Sequence, residues 1–437
     1  MDHADASTRL SRQQARTLGL SALGGALEFY DFVIFVFFAA TMGQLFFPPD
    51  MPDWLRQVQT FGIFAAGYLA RPLGGVVMAH FGDRSGRKRM FMLSILLMAI
   101  PTLLMGLLPT YAQIGALAPV LLLLLRIMQG AAIGGEAPGA WVFVTEHVSP
   151  RHRNFACGCL SAGLCAGILL GSLVARAINA WFDEATLLAW AWRLPFLLGG
   201  VFGLLAMLLR RELHETPVFL DMQARRALSV TMPLGEVLRK HRGAVVLAML
   251  LTWLLTAAVV VTLLMMPTLL QGMGVPRDAA LAGNTLAITA TILCNLLFGY
   301  LADRYGAGRT LVACSVLLGS MFWLFYAAAL SGAYSQWLYL LAGAAVGVTA
   351  LVPGIAVAGF PAPVRFTGLS FAYNVAYAIA GGLTPILLSL AIKDDARAPI
   401  HYMLGMAMLG VALGLFLEWR GKSPPVRAPR DRASFPL

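Results

Sequence analysis

Charge is what this chain has least of. Asp, Glu, Lys and Arg make up 12% of its 437 residues against 59% apolar residues, and mean hydropathy is +0.75. A water-soluble fold would have too little polar surface to cover itself, so the solvent is a lipid bilayer. Also missing are a phosphate-cradling loop, a metal-ligand cluster, a Ser/His/Asp set and any cofactor signature, and all seven histidines lie at or beyond helix ends. Those absences, with the lack of a signalling domain, leave a membrane enzyme or a sensor as remote readings. The five cysteines, Cys157, Cys159, Cys165, Cys294 and Cys314, stand in or beside apolar stretches without zinc-type spacing and are read as small packing residues. The first apolar stretch carries Glu28 and Asp31 and no small-residue cleavage site, which marks a retained helix and not a signal peptide.

At about 20 apolar residues per span, helices fall roughly at 18 to 47, 56 to 81, 90 to 109, 114 to 145, 154 to 180 and 189 to 210. A second set falls roughly at 244 to 271, 279 to 302, 310 to 330, 336 to 360, 366 to 392 and 400 to 419. The expected fold is all-α and integral to the membrane: twelve transmembrane helices in two pseudo-symmetric six-helix bundles, 18–210 and 244–420, with an N-tail 1–17, a charged linker 211–243 and a short tail 421–437. The tail is proline-rich and has no heptads, a composition that does not build a packed element. With the N-terminus cytoplasmic, 24 of the 32 Lys and Arg fall in loops and tails on the cytoplasmic side, and four (Arg56, Arg277, Lys393, Arg397) on the other. That bias places both termini in the cytoplasm. It also removes nucleic acid as the reason for the net charge of +11, because the basic groups are scattered over short loops with no folded domain to carry them.

One loop recurs. Gly82-Asp83-Arg84-Ser85-Gly86-Arg87-Lys88-Arg89 returns in degenerate form as Asp303-Arg304-Tyr305-Gly306-Ala307-Gly308-Arg309, and the two aspartates are 220 residues apart, about half the chain. A basic glycine-containing turn between hydrophobic helices, repeated at half-length, describes an internally duplicated secondary transporter. Glycine lets the backbone reverse tightly, and the cations hold the loop at the anionic cytoplasmic face. Asp83 ends a helix at its negative pole, an unfavourable place for a carboxylate, and so requires a compensating partner.

With these residues the chain resembles the major facilitator superfamily, and within it the metabolite:proton symporter family. Similar stretches are Leu27-Glu28-Phe29-Tyr30-Asp31-Phe32, Arg71-Pro72-Leu73-Gly74-Gly75, Gln129-Gly130 with Gly134-Gly135-Glu136, Trp192-Arg193-Leu194-Pro195-Phe196, Glu215-Thr216-Pro217, Phe360-Pro361 and Val364-Arg365-Phe366-Thr367-Gly368 with Tyr373-Asn374. The resemblance covers about residues 18 to 420. It implies a monomeric carrier in a bacterial cytoplasmic membrane, without cofactor, taking up a solute with protons by rocking of two halves. Relatives of this type carry di- and tricarboxylates, shikimate, or proline and glycine betaine. It implies gating by Asp83, Arg84, Gly86, Arg87, Asp303, Arg304 and Arg365 at the cytoplasmic closure, and adds Tyr30, Tyr373, Asn374 and Tyr377 as substrate contacts. The seventh span departs from the pattern, reading Thr256-Ala257-Ala258-Val259-Val260-Val261 where relatives carry tyrosines and other polar groups, so no relative's specificity transfers directly. Thr252, Asn284 and Asn295 are read as helix-to-helix hydrogen bonds.

Charges inside the spans are confined to the first half: Glu28, Asp31, Arg71, Arg126 and Glu136. A charge at membrane depth is costly and is either paired or functional. With three acids against two arginines, one acid is expected to bind a proton reversibly, and Asp31, nearest mid-membrane, is the first candidate, followed by Glu28 and Glu136. The alternative for Asp31 is a fixed salt bridge to a neighbouring helix. Arg126 and Arg71 are either carboxylate receptors for substrate or partners of these acids. Glu136 lies some 80° off the Arg126 face and fits an inner gate. The expected function is proton symport of a small organic acid. A zwitterion such as proline or betaine is the alternative, which aromatic residues such as Trp253 and Tyr373 would serve by caging its cation.

Overall fold

A computed structural model describes residues 10–211, 215–225 and 233–422. Among these there are helices and turns and no strand. The spans are α1 (Arg12–Phe37), α2 (Asp53–Ser85), α3 (Arg87–Leu107), α4 (Leu117–His147), α5 (Arg153–Trp181), α6 (Arg193–Arg211), α7 (Arg242–Gly272), α8 (Arg277–Tyr305), α9 (Ala307–Leu330), α10 (Gln336–Ala358), α11 (Arg365–Asp394) and α12 (Ala398–Lys422). Eleven are long and apolar enough to cross a bilayer unaided, and α6 is the twelfth once the bent segment before it is included.

Four expected spans are interrupted, the tenth by a tighter turn over Gly347–Ala350. The first breaks at Phe38 and resumes as Ala39–Phe46; the bend seats Phe38 against Phe196 at 6.4 Å. The sixth turns by 46° at Trp192, after a wide turn over Leu187–Ala191. There Arg193 donates to the last carbonyls of α3, Gly106 O (2.9 Å) and Leu108 O (2.8 Å), which answers a helix end that otherwise lacks donors. In α7 the turn over Val260–Met265 is also wide, and Tyr339 of α10 donates to the Thr262 carbonyl at 2.8 Å. Apolar composition cannot announce such breaks, because hydrophobicity does not change across them. The linker holds two short helices, Pro217–Ala224 and Pro233–Lys240, among its described residues.

Small residues bring the helices into backbone contact. A Cβ added at Gly130 or Gly134 of α4 would collide with the Gly67 or Arg71 carbonyl of α2, so α2 and α4 form one rigid pair. Across the two halves, α2 meets α11 and α5 meets α8; a Cβ at Gly158 would strike Asn295 O, and one at Gly75 the Asn374 amide. Asn295 of α8 bonds Thr349 (3.1 Å) and Asn284 takes the Tyr339 hydroxyl (2.6 Å), so these amides do act as helix-to-helix links. The five cysteines are free.

The two recurring loops lie at the same end of the bundle, called the basic end below. Gly86 and Gly306 adopt φ of +109° and +98°, a left-handed backbone that only glycine takes without strain. Each loop's aspartate reaches into the opposite half. Asp83 Oδ2, at the end of α2, accepts from Thr367 N–H (2.9 Å) and Thr367 Oγ1–H (2.8 Å) in the first turn of α11. Asp303, at the end of α8, accepts from the N–H of Asn154 (3.0 Å) and Phe155 (2.8 Å) and from the Asn154 amide (2.9 Å) in the first turn of α5. The compensating partner required for Asp83 is thus the positive pole of another helix. Within each half the scheme repeats: Glu215 accepts from Lys88 N–H at the start of α3, and Glu418 pairs with Arg309 at the start of α9 (3.2 Å). Glu146 ends α4 and ties Arg365 of α11 (3.0 Å) to Thr216 of the linker (2.7 Å).

Candidate functional site

Arg71 occupies the seam between the halves. Its side chain comes from α2 and is 1% exposed; its Nε–H lies 3.4 Å from Asn374 Oδ1 of α11. The guanidinium stands 4.3 Å from the centre of the Tyr377 ring, and 5.5 Å from the centres of Tyr68 and Tyr373. Tyr68 and Tyr377, one from each half, are stacked at 5.8 Å and 9°. Trp141 of α4 meets Tyr373 edge-on at 4.9 Å, and its buried indole N–H has no hydrogen-bond partner among the described residues. Asn374 is held by donating to Gly134 O of α4 and Ser370 O of its own helix (2.8 Å). Arg71 therefore meets no carboxylate among the described residues, and aromatic faces and one amide oxygen are what stabilise it.

Arg126 is the second buried cation. It is fully covered, donates to Gln129 Oε1 and to Phe32 O (3.4 Å), and stands 4.6 to 5.3 Å from the ring centres of Phe32, Phe35 and Phe64. Its Nε and Nη2 have no hydrogen-bond partner among the described residues. Gln129 links it to α1 and α3 by donating to Asp31 O (2.9 Å) and Thr102 Oγ1 (2.8 Å).

Asp31 turns away from Arg126. A Cβ at Gly199 of α6 would stand 2.6 Å from its Oδ1, and one at Gly203 3.5 Å from its Oδ2, so the carboxyl lies in a gap those glycines leave beside Thr102. It is 1% exposed, and neither oxygen accepts a hydrogen bond among the described residues. The fixed salt bridge weighed for Asp31, and the ion pairs weighed for both arginines, are not formed here.

The other expected residues divide. Arg71, Tyr373, Asn374 and Tyr377 come together; Tyr30 does not join them, since its hydroxyl donates to Pro195 O (2.9 Å) and its ring packs on Phe202 within the first half. Glu28 is buried in α1, and Glu136 accepts from Ser94 of α3, inside the first half. Trp253 is no cage residue: it is 42% exposed and bonds Tyr402 on the outer surface. Of the closure set, Asp83, Asp303 and Arg365 cross between halves. Arg84 meets His80 (3.4 Å), and Arg304 meets Tyr300 (3.3 Å), each on its own helix. The Arg87 side chain and the tail past Lys422 lie outside the described residues. Sequence reasoning missed Tyr68, one turn before Arg71 on the same face, and assigned no role to Gln129, one turn after Arg126; their i to i+3 spacing was the available signal.

Two six-helix halves joined at one end, with a buried polar site at their seam, define a membrane carrier of the alternating-access type. Residues 22–385 match the family model of the Major Facilitator Superfamily, and the chain belongs to that family. It is 31% identical over 428 residues, 94% of this chain and 84% of the relative, to the glycine betaine/proline/ectoine/pipecolic acid transporter OusA of Dickeya dadantii. It is 34% identical over 440 residues to the inner membrane metabolite transport protein YhjE of Escherichia coli, covering 97% and 98% of the two chains. Among solved structures, the proton:xylose symporter XylE superposes with a TM-score of 0.74 at 17% identity, over 93% of this chain and 95% of that one, and shares the fold.

Proposed function

We propose that this protein is a proton-coupled symporter of a small zwitterion that carries a carboxylate and a secondary or quaternary ammonium, of the proline and glycine betaine type. The observation that carries the reading is Arg71: a buried guanidinium at the seam, without a carboxylate of its own, walled by the rings of Tyr68, Tyr373 and Tyr377. The guanidinium receives the substrate carboxylate, and the tyrosine faces, negative at their centres, receive the ammonium. A polycarboxylate would use the arginine but be repelled by those ring faces, which turns the organic-acid expectation toward its alternative. The name of the relative OusA supports the same choice.

The basic end faces the cytoplasm of a bacterial inner membrane and is closed in this arrangement, with Arg71 and Arg126 both covered. Asp31 carries the coupled proton: ionised in its present gap, it would be left without a donor, a cost of several kcal/mol that the neutral acid avoids, on the order of 2–7 for a bare polar group and more for a charge. Gln129 joins the α1 backbone at Asp31 to Arg126 of α4, so the segments bearing the two residues are mechanically linked.

Thermal melting of the purified protein tests the substrate class. Proline or glycine betaine at about 100 times its Kd stabilises the folded state by about 2.7 kcal/mol. Wild type is expected to respond to these and not to succinate or citrate, and Arg71→Lys to lose the response. Stabilisation by the carboxylates alone would return the function to an organic acid, and an undiminished response in Arg71→Lys would remove Arg71 from the site.

A further inference from the structure

The α5–α8 side of the basic end carries a cleft of about 550 Å³ lined by Leu10, Arg151, His152, Phe155, Tyr300, Asp303 and Arg304. Its walls come from both halves: Arg151, His152 and Phe155 from the start of α5 and the turn before it, and Tyr300, Asp303 and Arg304 from the last turns of α8. Asp303 forms no ion pair with either arginine, since its oxygens accept three N–H groups of Asn154 and Phe155; its charge offsets one of the two cations and leaves the lining net positive. Arg151 is exposed and makes no hydrogen bond or ion pair among the described residues. Arg304 holds the Tyr300 hydroxyl.

The α2–α11 side is built differently. There the cation at the start of the helix, Arg365, is matched by Glu146, four residues before Pro150 at the end of α4. Four residues before Pro361, at the corresponding end of α10, stands Val357, buried and apolar. Beyond the loop aspartate present on each side, the duplication thus supplies a second anion on one side of the closure, and its counterpart position on the other is the apolar Val357. The cations stand at the helix ends, whereas Tyr300 lies one turn deeper in α8 and Phe155 lies within α5; Leu10, ahead of α1, completes the lining. Cations at the helix ends beside aromatic and aliphatic groups match the boundary between phospholipid headgroup and acyl chain.

We propose that this cleft binds the phosphate diester of an anionic membrane phospholipid, held by Arg151 and Arg304 with the start of its acyl chains against Tyr300 and Phe155. Because the two arginines belong to different halves, the site is complete only while α5 and α8 stay together. Lipid binding therefore favours the state closed at the basic end, through mass action on that state alone. The membrane's anionic lipid content would then set how readily the carrier opens to the cytoplasm, independently of which solute it moves.

The test is thermal melting of the purified full chain in a neutral detergent with short-chain phosphatidylglycerol, short-chain phosphatidylcholine or inorganic phosphate added. Phosphatidylglycerol is expected to raise the melting temperature of wild type, and phosphatidylcholine to leave it unchanged. Arg151→Gln, at an exposed side chain without partners, should melt like wild type without lipid and lose the phosphatidylglycerol shift, while Arg151→Lys keeps part of it. A full shift in Arg151→Gln, or an equal shift with phosphatidylcholine, overturns the site. A shift of the same size with inorganic phosphate overturns the lipid assignment and makes the cleft a site for a free anion.

Discussion

Asp83→Asn isolates the closure at the basic end from the substrate site. The carboxylate crosses from α2 to α11 and accepts two bonds from Thr367, at 2.9 and 2.8 Å, in a position with no solvent exposure. A hydrogen bond to a charged group contributes roughly 1.5–3 kcal/mol and one between neutral groups about 1, so the amide weakens each bond by about 1 kcal/mol and the pair by about 2. These bonds exist only while the halves are closed at this end. The whole loss therefore falls on the closed state, and at 1.4 kcal/mol per factor of ten the open population rises roughly 30-fold. The assay is alkylation of Ser370→Cys, placed in a chain whose five cysteines have been replaced, by a maleimide that cannot cross the membrane. Ser370 is buried in α11, one turn inside Thr367, and becomes reachable only when the halves part. The alkylation rate from the side of the basic end should rise by about that 30-fold factor, with a smaller change in ligand Kd. An unchanged rate together with weakened binding would refute the assignment of Asp83 to closure.

Asp303→Asn should raise the same rate, because three donors at the start of α5 lose a charged acceptor; the double variant should multiply the two effects, and a double no faster than either single would show that the contacts do not act independently. Gly130→Ala places a methyl against the Gly67 carbonyl, where neither backbone can yield, and should destabilise the fold by about 3 kcal/mol, read as a lower melting temperature and yield; normal stability would contradict the α2–α4 contact. Asp31→Asn should abolish accumulation driven by a pH gradient while counterflow exchange continues, since it removes the titratable group and leaves Arg71 and Arg126 in place. Proton-driven accumulation by that variant would pass the coupling role to Glu28 or Glu136. Arg126→Ala removes the cation that Gln129 ties to α1 and should lower transport more than it changes the melting curve; wild-type uptake would exclude Arg126 from the cycle.

Much of the molecule is legible in the sequence. Long apolar stretches with basic loops on one side determine a twelve-helix membrane bundle, because backbone polar groups in lipid must be satisfied within each span. The repeated Asp-Arg-x-Gly turn at half-length announced the duplication, and a carboxylate at a helix C-terminus announced that it needed a positive partner. The identity of that partner was not readable: Thr367 is 284 residues from Asp83, and Asn154 is 149 from Asp303. Only the docking of α2 on α11 and of α5 on α8 brings those helix ends together. The buried charges divide in the same way. Their presence in the first half is plain in the sequence, but the direction each one faces is set by which neighbour has a glycine to leave room for it. Gly199 and Gly203 draw Asp31 toward α6 and away from Arg126, while Gly75 lets Arg71 approach α11 beside Asn374. In spans that are apolar on every face, periodicity assigns no inner side; the tertiary packing assigns it, and with it the ring of tyrosines around Arg71.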